Sequence, residues 1–337
     1  MSKGVSLALV GASGVVGTKI LQLLEKRAFP IDQFIPLGNS TVGSSIQFND
    51  NKYLVESLES FKPEKAQLII FSAGSNVADK YARDFVAAGS FVIDLSSNFR
   101  YQDDVPLIIP EINREILKNL SKPSLIANPN CSTAQLLVIL NPIHNAAKIE
   151  ILNIATYQAV SGTGKAALEE LHNQTYFTDS DNQSSVYPKQ IAFNLIPHCD
   201  VFLENNFTKE ENKMVEETQK ILKSKIEIFA TCVRVPVFVG HAESVYIETE
   251  KNINLKKLFQ ELKNFKGISL VDKSIDGGYV TPDESAGEDD VFLSRIRLDL
   301  NKKNAMGMWV VADNLRKGAA LNTVQIAELL IDKIKIK

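Results

Sequence analysis

Short, continuously apolar runs alternate with segments of helical periodicity through the first part of the chain. The runs lie at residues 5–10, 34–37, 67–71, 91–95 and 124–127. Segments of helical periodicity lie at residues 18–24, 78–88 and 136–143. Strands that are apolar on both faces and alternate with helices are typical of a parallel, doubly wound sheet of the α/β class. Ligands of such sheets bind at the C-terminal ends of the strands.

The pattern changes after residue 130. Strand-like runs dominate, at residues 149–160, 226–247, 291–298 and 305–312. Thr208 predicts the N-cap of a helix that continues through Leu222. Polar residues at 173–190 predict a long surface loop, and residues 276–290 predict an acidic loop. We therefore expect a second domain of the α+β class.

A glycine-rich turn joins the first strand to the first helix. The order strand, glycine turn, helix predicts a Rossmann-like dinucleotide site, because glycines let the backbone approach a pyrophosphate at the helix N-terminus. The spacing is GxxGxxG, and a plain strand–helix turn is the alternative reading of this motif alone. The candidate cofactor residues are Gly11, Ser13, Gly14, Val15, Val16 and Gly17.

The segment after the second strand bears on cofactor choice. It reads Asn39-Ser40-Thr41 and lacks the Asp or Glu that usually grips the ribose 2′-hydroxyl of NAD. NADP is therefore favoured, although the segment also lacks an arginine for the 2′-phosphate, and Ser40 and Lys317 are the candidates to replace it. The turn after the third apolar run adds small residues expected near the cofactor: Ser72, Ala73 and Gly74.

Cys131 lies where the strand at 124–127 passes into a helix. Pro129 stops regular pairing, and apolar residues then recur at helical spacing from Leu136 onward. Unpaired backbone N–H groups and the helix dipole favour a thiolate at this point, and a thiolate is the nucleophilic form of cysteine. A small buried apolar residue is the alternative reading of Cys131.

The end of the chain is predicted to return to the first domain. Residues 321–334 predict an amphipathic helix whose apolar side must pack against another apolar surface, and the uncovered face of the first sheet is available. This predicts a discontinuous first domain, residues 1–130 with 313–337, and a second domain of residues 131–312. The turn at 313–317 would then lie near the cofactor and the thiol.

Composition excludes several classes of partner. The 337 residues are 45% hydrophobic and carry a net charge of −3, which gives no electrostatic reason to expect nucleic acid or an anionic membrane. No apolar run reaches membrane-spanning length.

The cysteines and histidines give no sign of a disulfide framework or a metal site. Three scattered cysteines are too few for either, and no two histidines stand at metal-ligand spacing. We expect a cytoplasmic protein without a metal.

Other polar residues are candidates for substrate binding or proton transfer. Arg100 follows a buried strand, where an anion-binding role is expected. Arg234 lies in a β-branched run, where its charge needs a carboxylate partner. His241 is a candidate for proton transfer, because histidine is the residue type whose ordinary pKa lies nearest neutrality. A structural role is the alternative interpretation. Glu210 and Lys213 share one helix face and, alone, predict a surface ion pair.

Together these segments resemble aspartate-semialdehyde dehydrogenase of the bacterial type along the whole chain. The matching motifs, in order, are GASGVVG, FSAGS, SSNFR, VPLIIPEINREIL, NPNCST, YQAVSGTG, EENKM, CVRVPV with GHAES, and DNLRKGAALNTVQIAE. The resemblance implies NADP-dependent, reversible reductive dephosphorylation of 4-phospho-L-aspartate to L-aspartate 4-semialdehyde, feeding lysine, methionine and threonine synthesis. It also implies inorganic phosphate as a reactant and a homodimer or homotetramer built on a catalytic and dimerisation domain.

The resemblance gives roles to individual residues. Cys131 would attack the acyl phosphate, His241 would move protons, and Gln158 would orient the thioacyl group. Arg234 would clamp the substrate carboxylate, while Glu210 would hold its ammonium. The phosphoryl group would be bound by Arg100, Lys213, Asn130 and Ser96. Further cofactor contacts are implied for Ser161, Gly162, Asn314 and Gln325.

Two other functions stay open at this stage. N-acetyl-gamma-glutamyl-phosphate reductase shares the fold logic and a cysteine, but its substrate has a blocked amine and no use for Glu210. The second is a non-catalytic nucleotide-binding paralogue, against which the joint presence of Cys131, Gln158, Arg234 and His241 argues.

Overall fold

The computed structural model describes residues 4–177 and 186–335, which form two compact units. The first unit comprises residues up to 129 together with residues from 319 onward, and the second comprises residues 130–318. Chain order therefore leaves the first unit at 129 and re-enters it at 319.

The first unit is built on a six-stranded sheet in which every neighbouring pair is parallel. Its elements are β1 (Val5–Val10), α1 (Val15–Lys26), β2 (Ile31–Gly38), β3 (Ser45–Phe48), β4 (Asn51–Leu54), β5 (Glu56–Ser57), β6 (Leu68–Phe71), α2 (Ser75–Ala87), β7 (Phe91–Asp94), α3 (Pro110–Asn113), α4 (Glu115–Lys118), β8 (Leu125–Ala127) and α10 (Leu321–Lys335). The strand order is β5-β2-β1-β6-β7-β8, while β3 and β4 form a separate hairpin.

Helices cover both faces of this sheet because its strands are apolar on both sides. Ile70 packs in the cluster that contains Val324 of α10. Phe71, the next residue, points to the opposite face and contacts Phe85 of α2, with ring centroids 5.7 Å apart. The terminal helix α10 packs against α1, β1 and β7. The predicted doubly wound parallel sheet is confirmed.

The second unit contains a mixed six-stranded sheet in the order β10-β9-β11-β14-β13-β12. Its elements are α5 (Cys131–Ala147), β9 (Ile149–Gln158), α6 (Lys165–Tyr176), α7 (Lys209–Leu222), β10 (Glu227–Arg234), β11 (His241–Thr249), α8 (Leu255–Asn264), β12 (Ile268–Leu270), α9 (Pro282–Ser285), β13 (Val291–Leu298) and β14 (Ala305–Ala312). Helix α5 is almost wholly buried and packs against β9, β11, β13 and β14.

The structure corrects three local predictions. The polar segment at 173–190 begins as helix, because α6 continues to Tyr176, and residues 178–185 of that predicted loop lie outside the described residues. The acidic loop at 276–290 contains α9, which begins with a Thr281–Glu284 capping box. The second strand is longer than its apolar run, since β2 begins at Ile31. Every helix within the described ranges is too short or too polar to cross a membrane.

Candidate active site

Asn130 fixes the start of the helix that carries the thiol. Its side-chain oxygen accepts hydrogen bonds from the Ser132 and Thr133 backbone N–H groups at 2.9 and 3.2 Å. Its side-chain nitrogen donates to Glu210 Oε1 at 2.9 Å, and its backbone N–H donates to Glu217 Oε2 at 2.7 Å. Cys131 is the first residue of α5 and is half-buried. The positive end of the helix dipole therefore acts on an accessible sulfur.

His241 lies against Cys131, with Nε2 3.3 Å from Sγ. The Ala159 backbone N–H donates to Nδ1 at 3.0 Å, so the neutral imidazole carries its proton on Nε2, facing the sulfur. Burial, with the Arg234 charge nearby, lowers the pKa of His241 to about 3. The imidazole is therefore a neutral hydrogen-bond donor toward the sulfur at physiological pH.

The Glu210 carboxylate is the centre of a buried hydrogen-bond network. Gln158 Nε2 donates both to Glu210 Oε1 and to Ser132 Oγ, each at 2.9 Å. Lys213 Nζ lies 2.9 Å from Glu210 Oε2 and 2.7 Å from Asp200 Oδ2. Burial alone would raise the pKa of Glu210, but Lys213 and the amide donors bring it to about 2. The ion pair expected from the spacing of Glu210 and Lys213 is therefore present, but both residues are buried, so its expected surface location is wrong.

Arg234 is a buried cation at the end of β10. Its Nη1 donates to the Ala159 carbonyl oxygen at 2.7 Å, and its Nε has no hydrogen-bond partner among the described residues. No carboxylate within 4–177 and 186–335 forms an ion pair with it. A buried guanidinium in this state favours an anionic ligand, because burying an uncompensated charge is costly.

Two glycines allow close approach to the thiol and the imidazole. A Cβ at Gly318 would lie 2.6 Å from Cys131 Cβ, and a Cβ at Gly162 would lie 3.3 Å from His241 Nε2. Neighbouring Ser161 and Asn314 are hydrogen-bonded to each other, at 3.0 Å between Asn314 Nδ2 and Ser161 Oγ. These backbone positions tolerate no larger side chain without displacing the reactive groups.

Ser96 and Arg100 lie together in the first unit, after β7. Ser96 Oγ donates to Asp94 Oδ2 at 2.7 Å, and Arg100 Nη2 donates to the Leu95 carbonyl at 2.8 Å. Burial raises the pKa of Asp94 despite the hydrogen bonds from Ser96 and the Arg100 charge. The carboxyl end of β7 thus carries a buried guanidinium beside a hydroxyl.

The glycine turn between β1 and α1 lies at the same sheet edge as the turn between β6 and α2. A Cβ at Gly11 would clash with the Ser72 carbonyl oxygen, so the two turns are in contact. Gly14 and Gly74 are the N-caps of α1 and α2, without side-chain caps or acidic residues in either first turn. Two uncapped helix N-termini at one edge fit a pyrophosphate.

Known semialdehyde dehydrogenases are similar to this chain in both sequence and structure. Residues 6–120 match the family model of the semialdehyde dehydrogenase NAD binding domain, and residues 140–317 match that of the semialdehyde dehydrogenase dimerisation domain. The aspartate-semialdehyde dehydrogenase of Aquifex aeolicus is 45% identical over 97% of this chain and 98% of its own. The crystal structure of aspartate semialdehyde dehydrogenase II from Vibrio cholerae superimposes with a TM-score of 0.93 at 42% identity, covering 98% of this chain and 99% of that chain.

The chain belongs to the aspartate-semialdehyde dehydrogenase family. The family resemblance predicted from the motifs is confirmed. A second structure of the Vibrio cholerae enzyme, in complex with ASA, has a TM-score of 0.92 and covers 98% of this chain and 99% of that chain. A nicotinamide cofactor follows from the family, and the glycine turns of the first unit fit its pyrophosphate.

The remaining predicted cofactor residues have varied surroundings. Asn39 and Ser40 are exposed after β2, and Thr41 is half-buried. Gln325 Nε2 donates to Glu111 Oε1 at 3.0 Å within the first unit. Within the described ranges, no group of three or more His, Cys, Asp or Glu side chains is arranged to hold a metal ion.

Several residues around the thiol escaped the sequence-based prediction. Ala159 contributes its backbone N–H, and Gly318 leaves room for Cys131 because it has no side chain. Neither role depends on side-chain chemistry, so the sequence gives no sign of it. Glu217 accepts the Asn130 backbone N–H, and its only signal is helical spacing from Glu210 and Lys213. Asp200, which binds Lys213, lies outside any helix or strand.

Proposed function

We propose that this family member catalyses NADP-dependent, reversible reductive dephosphorylation of 4-phospho-L-aspartate to L-aspartate 4-semialdehyde, in the cytoplasm, for lysine, methionine and threonine synthesis. The 3.3 Å contact between Cys131 Sγ and His241 Nε2, at the N-terminus of α5, carries this proposal. A thiol in this setting is suited to acyl transfer. The helix N-terminus and the His241 N–H would stabilise the negative charge of the thiolate and that of the oxyanion that forms at the acyl carbon.

Cys131 would form and break the covalent bond. Its thiolate attacks the acyl carbon of 4-phospho-L-aspartate, a C–S bond forms, and the C–O bond to phosphate breaks. A nicotinamide cofactor, when bound, would supply a hydride, two electrons with one proton, to the thioester carbon. The hemithioacetal oxyanion formed in this way would re-form its C=O bond as the C–S bond breaks, which releases the aldehyde and regenerates the Cys131 thiolate.

His241 would stabilise the negative charge at each stage. Its Nε2–H faces Sγ, so it donates first to the thiolate and then to the oxygen that becomes negative at the acyl carbon. Gln158 would hold the acyl group from the same side, since its amide is fixed by Glu210 and Ser132.

The charged residues would bind the two ends of the substrate. Arg234 lacks a carboxylate partner among the described residues, and the substrate α-carboxylate supplies one. Glu210 would bind the ammonium and Lys213 the phosphoryl group, assisted by Asn130. Arg100 and Ser96 would add phosphate contacts from the first unit.

NADP is the cofactor that we propose. No acidic residue follows β2, which removes the usual repulsion of a 2′-phosphate. Ser40 is exposed and is the better of the two candidates for binding this phosphate, because the Lys317 side chain is buried. The residues of the glycine turns, with Ser161, Gly162, Asn314 and Gln325, would complete the cofactor site.

One assay tests the function. The purified protein is mixed with L-aspartate 4-semialdehyde and inorganic phosphate, and NADP reduction is followed by absorbance. We expect phosphate-dependent reduction that Cys131→Ser abolishes, and a lower rate with NAD. Activity on N-acetyl-glutamate 5-semialdehyde alone would instead identify the reductase of that substrate, and equal rates with NAD would remove the NADP preference.

A further inference from the structure

A second set of polar side chains lies beneath Cys131 and His241. Gln135 follows Cys131 by one helical turn on α5, and Glu243 follows His241 by two residues on β11, so each pair shares one face. Thr156 of β9 pairs with Glu243 in the antiparallel register. Gln135, Thr156 and Glu243 are all fully buried. We call these three residues the inner layer.

The inner layer contains polar atoms without hydrogen-bond partners among the described residues. They are Gln135 Oε1, Thr156 Oγ1 and both carboxyl oxygens of Glu243. The other end of the Gln135 amide does have a partner, because Nε2 donates to the His241 carbonyl oxygen at 3.3 Å. Buried polar atoms are nearly always paired in folded proteins, so this cluster requires an explanation.

Glu243 is best explained as a protonated, uncharged carboxylic acid. Burial raises its pKa well above the ordinary value, and the adjacent Gln135 amide only partly offsets this effect. Its neighbours on the two flanking strands are Thr156 and Val310, neither of them charged. A protonated carboxyl has both a donor and an acceptor, so it could donate to Gln135 Oε1 and accept from the Thr156 hydroxyl.

We propose that Gln135, Thr156 and Glu243 form a neutral positioning layer that fixes α5 against β11 and thereby sets the separation of Cys131 Sγ and His241 Nε2. Gln135 joins the two elements directly, since it lies on α5 and binds the His241 backbone. An apolar layer would allow α5 to slide on the strand, whereas paired polar groups specify one register. The inference rests on the proposed role of Cys131 as the nucleophile.

The test uses the reactivity of Cys131 in the intact protein. Glu243→Gln keeps a neutral polar side chain, and Glu243→Met removes its hydrogen bonds at similar size. Val245→Ala is the matched control, because Val245 is buried on the same face of β11, one step deeper. For each variant, the rate of Cys131 alkylation by iodoacetamide is measured from pH 5 to 10, with kcat, KM and the melting temperature.

We expect Glu243→Gln to match the wild type within about twofold in alkylation and kcat. Glu243→Met should lower kcat about tenfold with little change in KM. The reason is that moving Cys131 away from His241 slows the chemical step without removing a group that binds substrate. Glu243→Met should also raise the pH midpoint of alkylation by about one unit, the effect of losing a donor to the thiolate. Val245→Ala should lower the melting temperature without moving that midpoint. His241, which contacts the thiol, and Arg234 and Glu210, whose charges act on the His241 pKa, are unchanged in every variant.

Three results would overturn the proposal. An unchanged alkylation profile in Glu243→Met would show that the layer does not position the pair. A loss in Glu243→Gln as large as in Glu243→Met would show that the carboxyl itself is needed. If Glu243→Met does not fold, Thr156→Val and Gln135→Met replace it, and unchanged profiles in both count equally against the proposal. Alkylation needs no substrate, so absence of dehydrogenase activity in the wild type would defeat only the proposed function.

Discussion

The three cysteines differ in the surroundings that decide thiol reactivity. Cys131 is half-buried at a helix N-terminus beside His241, whereas Cys199 and Cys232 are buried. Burial raises the pKa of Cys199 to about 12 and raises that of Cys232 well above its ordinary value. Only Cys131 combines access with stabilisation of its thiolate.

We therefore expect one modified cysteine in the native protein. At pH 8, excess iodoacetamide should add one carboxamidomethyl group, at Cys131, and intact-mass spectrometry measures the number. Cys131→Ser should take up none until the protein is unfolded in urea. Early labelling of Cys199 or Cys232 would contradict this assignment.

Gly318 and Gly162 predict graded effects of an added methyl group. Gly318→Ala would place Cβ 2.6 Å from Cys131 Cβ and 2.9 Å from its Cα, so backbone must move. Gly162→Ala would place Cβ 3.2 Å from Arg234 Nη1 and 3.3 Å from His241 Nε2, where side chains can yield. We expect kcat to fall at least about tenfold in Gly318→Ala and only a few-fold in Gly162→Ala. The reverse order in steady-state kinetics would be incompatible with these contacts.

Glu210 predicts a specific loss of stability in acid. Its folded pKa is about 2, below the ordinary 4.5, so the stabilisation is complete above pH 4.5 and disappears as pH falls toward 2. The shift corresponds to roughly 3–4 kcal/mol. Urea unfolding at pH 6, 4 and 3 should show the wild type losing more free energy of unfolding than Glu210→Gln. Parallel losses in the two proteins would count against the assigned shift.

At the scale of single elements, α7 brings Glu210, Lys213 and Glu217 to the site. Its start is fixed by a capping box, in which Thr208 Oγ1 accepts the Glu211 N–H at 3.2 Å and Glu211 Oε2 accepts the Thr208 N–H at 2.7 Å. Glu211 Oε1 also accepts the Cys232 N–H of β10 at 3.1 Å. The cap therefore anchors the helix to the sheet.

Thr208→Ala should cost about 1 kcal/mol of unfolding free energy, the usual value of a lost N-cap. Because Thr208 is buried, the freed Glu211 N–H gains no water in exchange. Thr208→Ser is the matched control and should remain near the wild type, since it keeps the hydroxyl. Chemical denaturation measures both differences, and equal stability of the Ala and Ser variants would exclude the cap as the cause.

Elements with a strong period were predictable, and short or polar ones were not. The sequence places β14 at 305–312 and the last helix from Leu321, as the structure has them, because continuous burial leaves a long apolar signal. The β3–β4 hairpin, with four residues in each strand, is largely exposed and leaves no such signal. The polar end of α6 is stabilised by tertiary contacts, including Gln174 Oε1 accepting the Ile191 N–H at 2.9 Å.

Most of the second unit, residues 140–317, matches the family model of the semialdehyde dehydrogenase dimerisation domain. We expect a homodimer with twice the 37.3 kDa mass of the chain. Light scattering after size-exclusion chromatography, over a range of micromolar concentrations, measures the mass. A fourfold mass would indicate the tetramer, and a mass of 37.3 kDa at every concentration would exclude self-association.

The amino-acid sequence was enough to predict the parallel sheet, the glycine turn, the position of Cys131 at a helix start and the family. These features depend on periodicity and on residues that are adjacent in the chain, so they can be recognised from short stretches of sequence. The folded structure was needed to show that Glu210 and Lys213 form a buried pair and that the Ala159 N–H sets the proton position on His241. It also revealed Glu243 and Gln135 as a layer beneath the reactive pair. Burial and backbone contacts between distant segments arise only when β9, β11, α5 and α7 pack together, and no local pattern records them.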